Sequence, residues 1–242
     1  MEITDEIVAK ALNALKPDSS PGIDNMQPRI LKELRQEISK PLGIIFRQSL
    51  NEGKVPQEWK KARITAIFKK GNKSLASNYR PVSLTSVVCK TMERILRDQI
   101  TEHLVKNNLL SSKQFGFVPG RSTSLQLLRV LDEWTEAIDQ GFGIDCVYMD
   151  YMKAFDTVPH KRLINKLTAY GIGTETVKWI ENYLKDRKQQ VSVNGEASIW
   201  HDVLSGIPQG SILGPTLFVI FINDLPEIVD SKVYLFADDT KI

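Results

Sequence analysis

The sequence predicts an α+β fold, and three observations carry that expectation. Several segments place apolar residues at helical spacing. Short β-rich runs lie between them. An Asn-Gly dipeptide also sits between two alternating stretches, the strongest short hairpin signal a sequence offers. Strands mixed with crossing helices in this way define α+β. The chain has 242 residues, enough for one large domain or two small ones.

In chain order, residues 5–15 read as a short helix. Pro17-Asp18-Ser19-Ser20-Pro21-Gly22 stacks turn formers and reads as a loop. Leu31, Leu34 and Ile38 recur at helical spacing, and Gly53 and Pro56 close the helix that follows. Residues 62–68 favour a strand, ended by a turn at Gly71-Asn72. Arg80 precedes Pro81 and is expected to be extended. Met92, Leu96, Ile100 and Leu104 define an amphipathic helix. Leu127, Leu131, Trp134 and Ile138 define another, with Ser122 or Thr123 as N-cap.

Cys146-Val147-Tyr148-Met149 is a β-rich run that ends at Asp150. Val191 and Val193 alternate before Asn194-Gly195, and Ala197 and Ile199 alternate after it. Gly210 to Asn223 reads as a buried helix. Lys232 to Ala237 reads as a strand running into Asp238-Asp239. Thr240-Lys241-Ile242 is judged too short to close a hairpin on that strand, so its end is expected to fray.

Hydrophobic residues make up 42% and charged residues 25%, which excludes a disordered or collagen-like chain. Lys plus Arg total 32 and Asp plus Glu 29, so a net charge of +3 excludes a histone-like basic coat. The charge is nevertheless uneven. Residues 54–121 hold 14 Lys or Arg and 4 Asp or Glu, a local +10 that leaves −7 for the rest. That segment reads either as a footprint for a polyanion or as a solvated face.

Cys89 and Cys146 make neither a disulfide framework nor a four-ligand zinc site, and read as buried thiols in a reducing compartment. His103, His160 and His201 show no metal-site spacing. No run approaches the roughly 18 apolar residues of a membrane span. The acidic, polar first residues do not resemble a secretory signal, so an intracellular location is expected.

Two acidic features stand out. Asp150 follows one apolar strand, and Asp238-Asp239 follows another. Carboxylates at neighbouring strand ends can converge on hard cations. Two Mg²⁺ about 3.5–4 Å apart can clamp the attacking and leaving oxygens of an in-line phosphoryl transfer. Taken alone, an Asp-Asp pair is more often a turn.

Longer strings narrow the reading. They are Ser-Asn-Tyr-Arg-Pro-Val-Ser-Leu (77–84), Gln-Phe-Gly-Phe-Val-Pro-Gly-Arg-Ser-Thr (114–123) and Tyr-Met-Asp-Tyr-Met-Lys-Ala-Phe-Asp-Thr-Val-Pro-His (148–160). Ser-Gly-Ile-Pro-Gln-Gly-Ser-Ile-Leu-Gly-Pro (205–215) and Phe-Ala-Asp-Asp-Thr (236–240) follow. In this order and spacing they resemble the reverse transcriptases of non-LTR (LINE-type) retrotransposons of the jockey/CR1-like kind, over nearly the whole chain. Ser20-Pro21-Gly22-Ile23-Asp24 resembles the N-terminal extension motif of that family.

The resemblance implies a right-hand polymerase with fingers and a partial palm, the palm an RRM-like antiparallel sheet with packed helices. It divides the chain into an N-terminal extension (1–55) and a reverse transcriptase domain (56–242). It makes Asp150, Asp238 and Asp239 the metal-binding and catalytic carboxylates, holding two Mg²⁺, with Mn²⁺ as an alternative. Lys69 and Arg80 become the residues that hold the triphosphate. Phe155 becomes the aromatic under the nucleotide ribose, and Gln209 and Gly210 the loop at the incoming nucleotide and template.

Each role has a chemical basis. Guanidinium binds phosphate bidentately and ammonium as a point charge. An aromatic wall rejects a 2′-OH by contact. Glycine permits close backbone approach. By residue type alone, Phe155 also reads as core, Lys69 as a solvated turn lysine whose role Lys70 could take, and Gln209 as a helix cap. Asp156 lies six residues beyond Asp150 and reads as structural.

The sequence departs from the family pattern at Ile23, Asn25, Ala66 and Met152. None of these removes a charge from the implied site. The implied partners are an RNA template, a DNA primer and dNTP, with no membrane. A thumb is expected beyond Ile242 and an endonuclease domain elsewhere in a full-length protein. The implied location is the nucleus at the site of action and a cytoplasmic ribonucleoprotein before that. The competing expectation is an inactive remnant that at most binds nucleic acid.

Overall fold

The computed structural model describes residues 1–242. Helix α1 (Asp5–Asn13) starts where Thr4 accepts a hydrogen bond from the Ile7 N–H, and Asp5 and Glu6 complement its dipole. The expected single helix around Leu34 is two helices, α2 (Pro28–Glu33) and α3 (Arg35–Glu52). The backbone leaves helical geometry at Leu34, which is exposed while Leu31 is buried. The turn there lays α3 against α1. Helix α3 continues through Pro41 and ends on Gly53, whose φ of 63° makes the left-handed cap.

Helix α4 (Val87–Lys106) buries its predicted stripe completely: Met92, Leu96, Ile100 and Leu104 are at most 1% exposed. With α6 (His160–Ala169), α7 (Thr174–Leu184) and α8 (Gly214–Ile222) it forms the main core. Val8, Leu12, Phe46 and Leu50 belong to that same core. The first 55 residues are therefore packed into the body of the molecule rather than set apart from it.

The larger sheet has the order β2 (Tyr79–Leu84), β1 (Lys61–Phe68), β4 (Arg187–Val193), β5 (Glu196–Ala197), with β6 (His201–Val203) also on β4. The hairpin at Asn194-Gly195 forms as predicted, with φ of 52° and 87° at its two turn residues. This sheet is mixed, however. β1 and β4 run parallel, because the helices between them in the chain form the crossover that parallel pairing requires.

The smaller sheet is antiparallel, as expected, in the order β3 (Tyr148–Met149), β8 (Asp239–Lys241), β7 (Tyr234–Phe236). The expectation that no hairpin closes after Asp238-Asp239 fails. Phe236 pairs with Asp239, which leaves Ala237 and Asp238 as a two-residue turn. Three residues suffice because β8 is bonded on both sides. Beyond it, Val147 and Ile242 exchange two further hydrogen bonds of 2.8 and 3.0 Å, which pin the end expected to fray.

Helix α5 (Thr123–Asp139) has the predicted position and cap, with Ser122 accepting from the Leu125 N–H. Its predicted core stripe does not hold: Leu127, Leu131 and Ile138 are exposed. Trp134 alone of that stripe packs, joining Val130 on Phe115 and Tyr234 beside the small sheet. The helix carries leucines around more than one face, so spacing alone did not select the face that meets the sheet. Both cysteines are free, and Cys146 is only half-buried. No helix is long and apolar enough to cross a membrane.

Candidate active site

A cleft of about 1720 Å³ lies between the two sheets. The β1–β2 hairpin contributes Lys69 and Arg80, and β3 leads into Asp150. The following turn contributes Phe155, the loop before α8 contributes Gln209 and Gly210, and the β7–β8 turn contributes Asp238. Of the eight residues implied by resemblance, only Asp239 is absent from the lining.

The placement of the carboxylates follows from strand pairing. Tyr148 pairs with Lys241 and Met149 with Thr240. Carried one residue further, that register sets Asp150 across from Asp239, with Asp238 at the adjoining turn. Burial pushes the Asp238 carboxyl above its ordinary value, against a hydrogen bond from its own backbone. The negative charges of Asp239 and Asp150 push it further up, and the Arg80 guanidinium pulls it down. The cleft floor is thus a site of concentrated negative charge opposite a basic fingertip. No three of its acidic side chains are drawn into an ion-holding cluster in this arrangement.

At the fingertip, the Lys69 N–H donates to the Asn78 carbonyl at 2.8 Å and closes the hairpin. Lys69, Lys70, Lys73 and Arg80 are all exposed, and none is in an ion pair. Phe155 is half-buried. Its ring stacks on Phe218 with centroids 4.3 Å apart, so it packs on the core while lining the cleft.

Gln209 does not cap α8. Its Nε2 donates to both Asp156 carboxylate oxygens at 3.0 and 3.1 Å, and its carbonyl accepts from the Ser83 N–H at 2.8 Å. Gly210 has φ 107°, and a Cβ there would sit 2.8 Å from the Ser83 carbonyl oxygen, so only glycine fits.

Two carboxylates hold this loop. Asp156 reads as structural from the sequence, and the structure gives that role its content: it fixes the Gln209 amide from within the cleft lining. Glu93 was not singled out at all. It is fully buried on α4, and one of its oxygens accepts from the Ser211 hydroxyl at 2.6 Å and the Ile212 and Leu213 N–H groups at 2.8 and 3.2 Å. The Tyr183 hydroxyl and the Cys89 thiol donate to its other oxygen. Glu93 thereby satisfies N–H groups entering α8 and complements the positive end of that helix. The signal was available: Glu93 stands between Cys89 and Leu96 on the apolar stripe of α4, where an unpartnered carboxylate would be costly.

Strand-end carboxylates thus share one open cleft with Lys69 and Arg80. Residues 67–242 match the profile of the family described as Reverse transcriptase (RNA-dependent DNA polymerase), and the chain belongs to that family. It is 34% identical over 98% of its length to a probable RNA-directed DNA polymerase from transposon BS of Drosophila melanogaster. It is 30% identical over 99% of its length to the RNA-directed DNA polymerase from mobile element jockey of the same species. A third relative, a probable RNA-directed DNA polymerase from transposon X-element of Drosophila melanogaster, is 29% identical over 96% of the chain. These matches agree with the jockey-like, non-LTR character of the motifs. The chain spans about a quarter of the length of these curated relatives (26%, 27% and 26%).

Proposed function

We propose that this chain carries the nucleotidyl-transfer site of an RNA-directed DNA polymerase encoded by a non-LTR retrotransposon. The observation that supports this most is the convergence of residues from distant stretches of chain. Lys69, Arg80, Asp150, Phe155, Gln209, Gly210 and Asp238 line one cleft. An intact set of this kind disfavours the reading as an inactive remnant.

Reverse transcriptases use divalent cations, and the donor set here suits Mg²⁺ or Mn²⁺, since carboxylate oxygens are hard ligands and no thiolate lines the cleft. Asp150, Asp238 and Asp239 are the residues that would hold two such ions. When bound, the ions neutralise charge on the attacking and leaving oxygens.

The primer 3′-OH attacks the α-phosphate of a dNTP, the bond to the bridging oxygen breaks, and pyrophosphate leaves. Lys69 and Arg80 pair with the triphosphate, Arg80 through a guanidinium fork. Phe155 presents its ring to the sugar, and Gln209 and Gly210 set the floor under the base pair. The partners are an RNA template and a DNA primer. In a longer protein an element-encoded endonuclease accompanies them, with a cytoplasmic ribonucleoprotein preceding action in the nucleus.

The test is extension of a labelled DNA primer on an RNA template with Mg²⁺ and dNTP. Template-directed addition of at least one nucleotide supports the proposal. Absence of any addition, on RNA or DNA template, with folded protein bound to primer–template, would overturn it.

A further inference from the structure

We infer that Gln114 is a positioning residue of the catalytic turn: its side-chain oxygen sets the backbone from which Asp238 projects. The inference rests on the reading of Asp238 as a catalytic carboxylate. Its geometry is independent of that reading.

Ala237, immediately before Asp238, has φ 56°, in the left-handed region that a residue with a side chain occupies only when its surroundings impose it. The imposition comes from the loop at 113–116. Gln114 is fully buried, and its Oε1 accepts from the Ala237 N–H at 2.9 Å and from the Gly116 N–H at 2.8 Å. Its Nε2 has no partner, so both hydrogen bonds of the amide are made through that one oxygen.

The loop itself runs as a short parallel partner of β7. The Phe115 N–H donates to the Leu235 carbonyl at 2.8 Å, and the Leu235 N–H donates to the Lys113 carbonyl at 2.9 Å. Arg121 fastens the loop from behind by donating to the carbonyls of Ser111 and Gln114. Contact with the turn is close: a Cβ on Gly116 would lie 2.4 Å from the Ala237 nitrogen.

Ala237 and Asp238 are the two unpaired residues of the hairpin, so the β7–β8 ladder does not itself fix them. Loss of the Gln114 oxygen leaves two buried N–H groups without an acceptor and frees the peptide that aims Asp238. Arg80 lies on the other sheet and Lys69 just past the end of β1 in that sheet, so neither touches this loop. The defect therefore belongs to the carboxylate side of the cleft alone.

Gln114→Met keeps length and bulk and removes the acceptor. Amide hydrogen exchange at Ala237, Asp238 and Asp239 should accelerate by about tenfold or more while α4 amides stay protected, as expected for a local opening. In primer extension, kcat should fall and the Mg²⁺ concentration for half-maximal rate should rise, each by about tenfold or more, with KM for dNTP changed less than about twofold. Gly116→Ala pushes the same turn from its backbone side. It should reproduce the pattern, and it decides the matter if the methionine variant fails to fold. Unchanged exchange at the turn in a folded variant would overturn the inference, as would a KM effect without a change in Mg²⁺ dependence. An inactive wild-type protein would count against the functional reading, and the exchange measurement would still decide the role of Gln114.

Discussion

Phe155 shows how one side chain can answer to both readings its sequence position allowed. One face stacks on Phe218 in the core, and the ring lines the cleft. Phe155→Ala should lose stability, by about 3–5 kcal/mol for a fully buried ring and less here because the ring is half-exposed. It should also weaken the preference for dNTP over rNTP. The ratio of incorporation efficiencies measures this; an unchanged ratio leaves Phe155 a packing residue. Asp156 teaches a different lesson. Reach along a strand assigned it away from the site, six residues of about 3.3 Å each beyond Asp150, but β3 ends at Met149 and the chain turns back, so that spacing no longer applies. Asp156→Ala frees the Gln209 amide and should raise KM for dNTP by about tenfold or more, since hydrogen bonds to a charged group contribute about 1.5–3 kcal/mol and each ~1.4 kcal/mol is a factor of ten. Steady-state kinetics with unaltered KM would show that Gln209 needs no anchor.

The β7–β8 hairpin and α5 carry the element-scale account. The pairing of β8 was illegible because two partners, β3 and β7, reach it from distant sequence, and length alone argued against it. The cap and extent of α5 were legible, but its buried face was not. The two elements are tied by Glu133 on α5, which accepts from the Tyr234 hydroxyl of β7 and also pairs with Lys232 and Arg129. Burial raises the Glu133 carboxyl, but the hydrogen bonds from Tyr234, Lys232 and Arg129 outweigh it and hold it at about 2. A carboxyl depressed by folding stabilises above its unfolded value and loses that contribution as pH falls through its folded value. Glu133→Gln should therefore cost about 2 kcal/mol at pH 7. The difference from wild type should shrink between pH 4.5 and about 2. Denaturant melts across that range test it; a pH-independent difference would show that the charge of Glu133 is irrelevant.

At the scale of the whole molecule, the sequence showed the fold class, the helical core and the cleft residues through local pattern and motif. It could not show how basic the surface is where nucleic acid would lie. Of the +10 over residues 54–121, Lys60 is buried and Arg121 is tied to two carbonyls. Lys61 and Arg97 pair with Glu58 and Asp98. Arg63, Lys90, Arg94, Lys106 and Lys113 lie outside the cleft lining, and the unpaired charge at the cleft itself comes from Lys69, Lys73 and Arg80, with Lys70 beside Lys69. Primer–template affinity should fall with salt at a log–log slope near −3 to −4, at about 0.7–0.9 per phosphate neutralised. A slope near −9, as the full charge count would give, contradicts this distribution.

The central claim is that Asp150 and Asp238 act together as the catalytic carboxylates of this cleft. Single-turnover incorporation of one dNTP with Mg²⁺, by wild type, Asp150→Asn, Asp238→Asn and the double variant, tests it most directly. Each single change should slow incorporation by about 10³-fold, roughly 4 kcal/mol of transition-state stabilisation. The double variant should be no slower than the worse single, as for groups that act as a unit. Primer–template affinity should be unchanged. Incorporation within about tenfold of wild type in either single variant, or losses that simply multiply in the double, would contradict it.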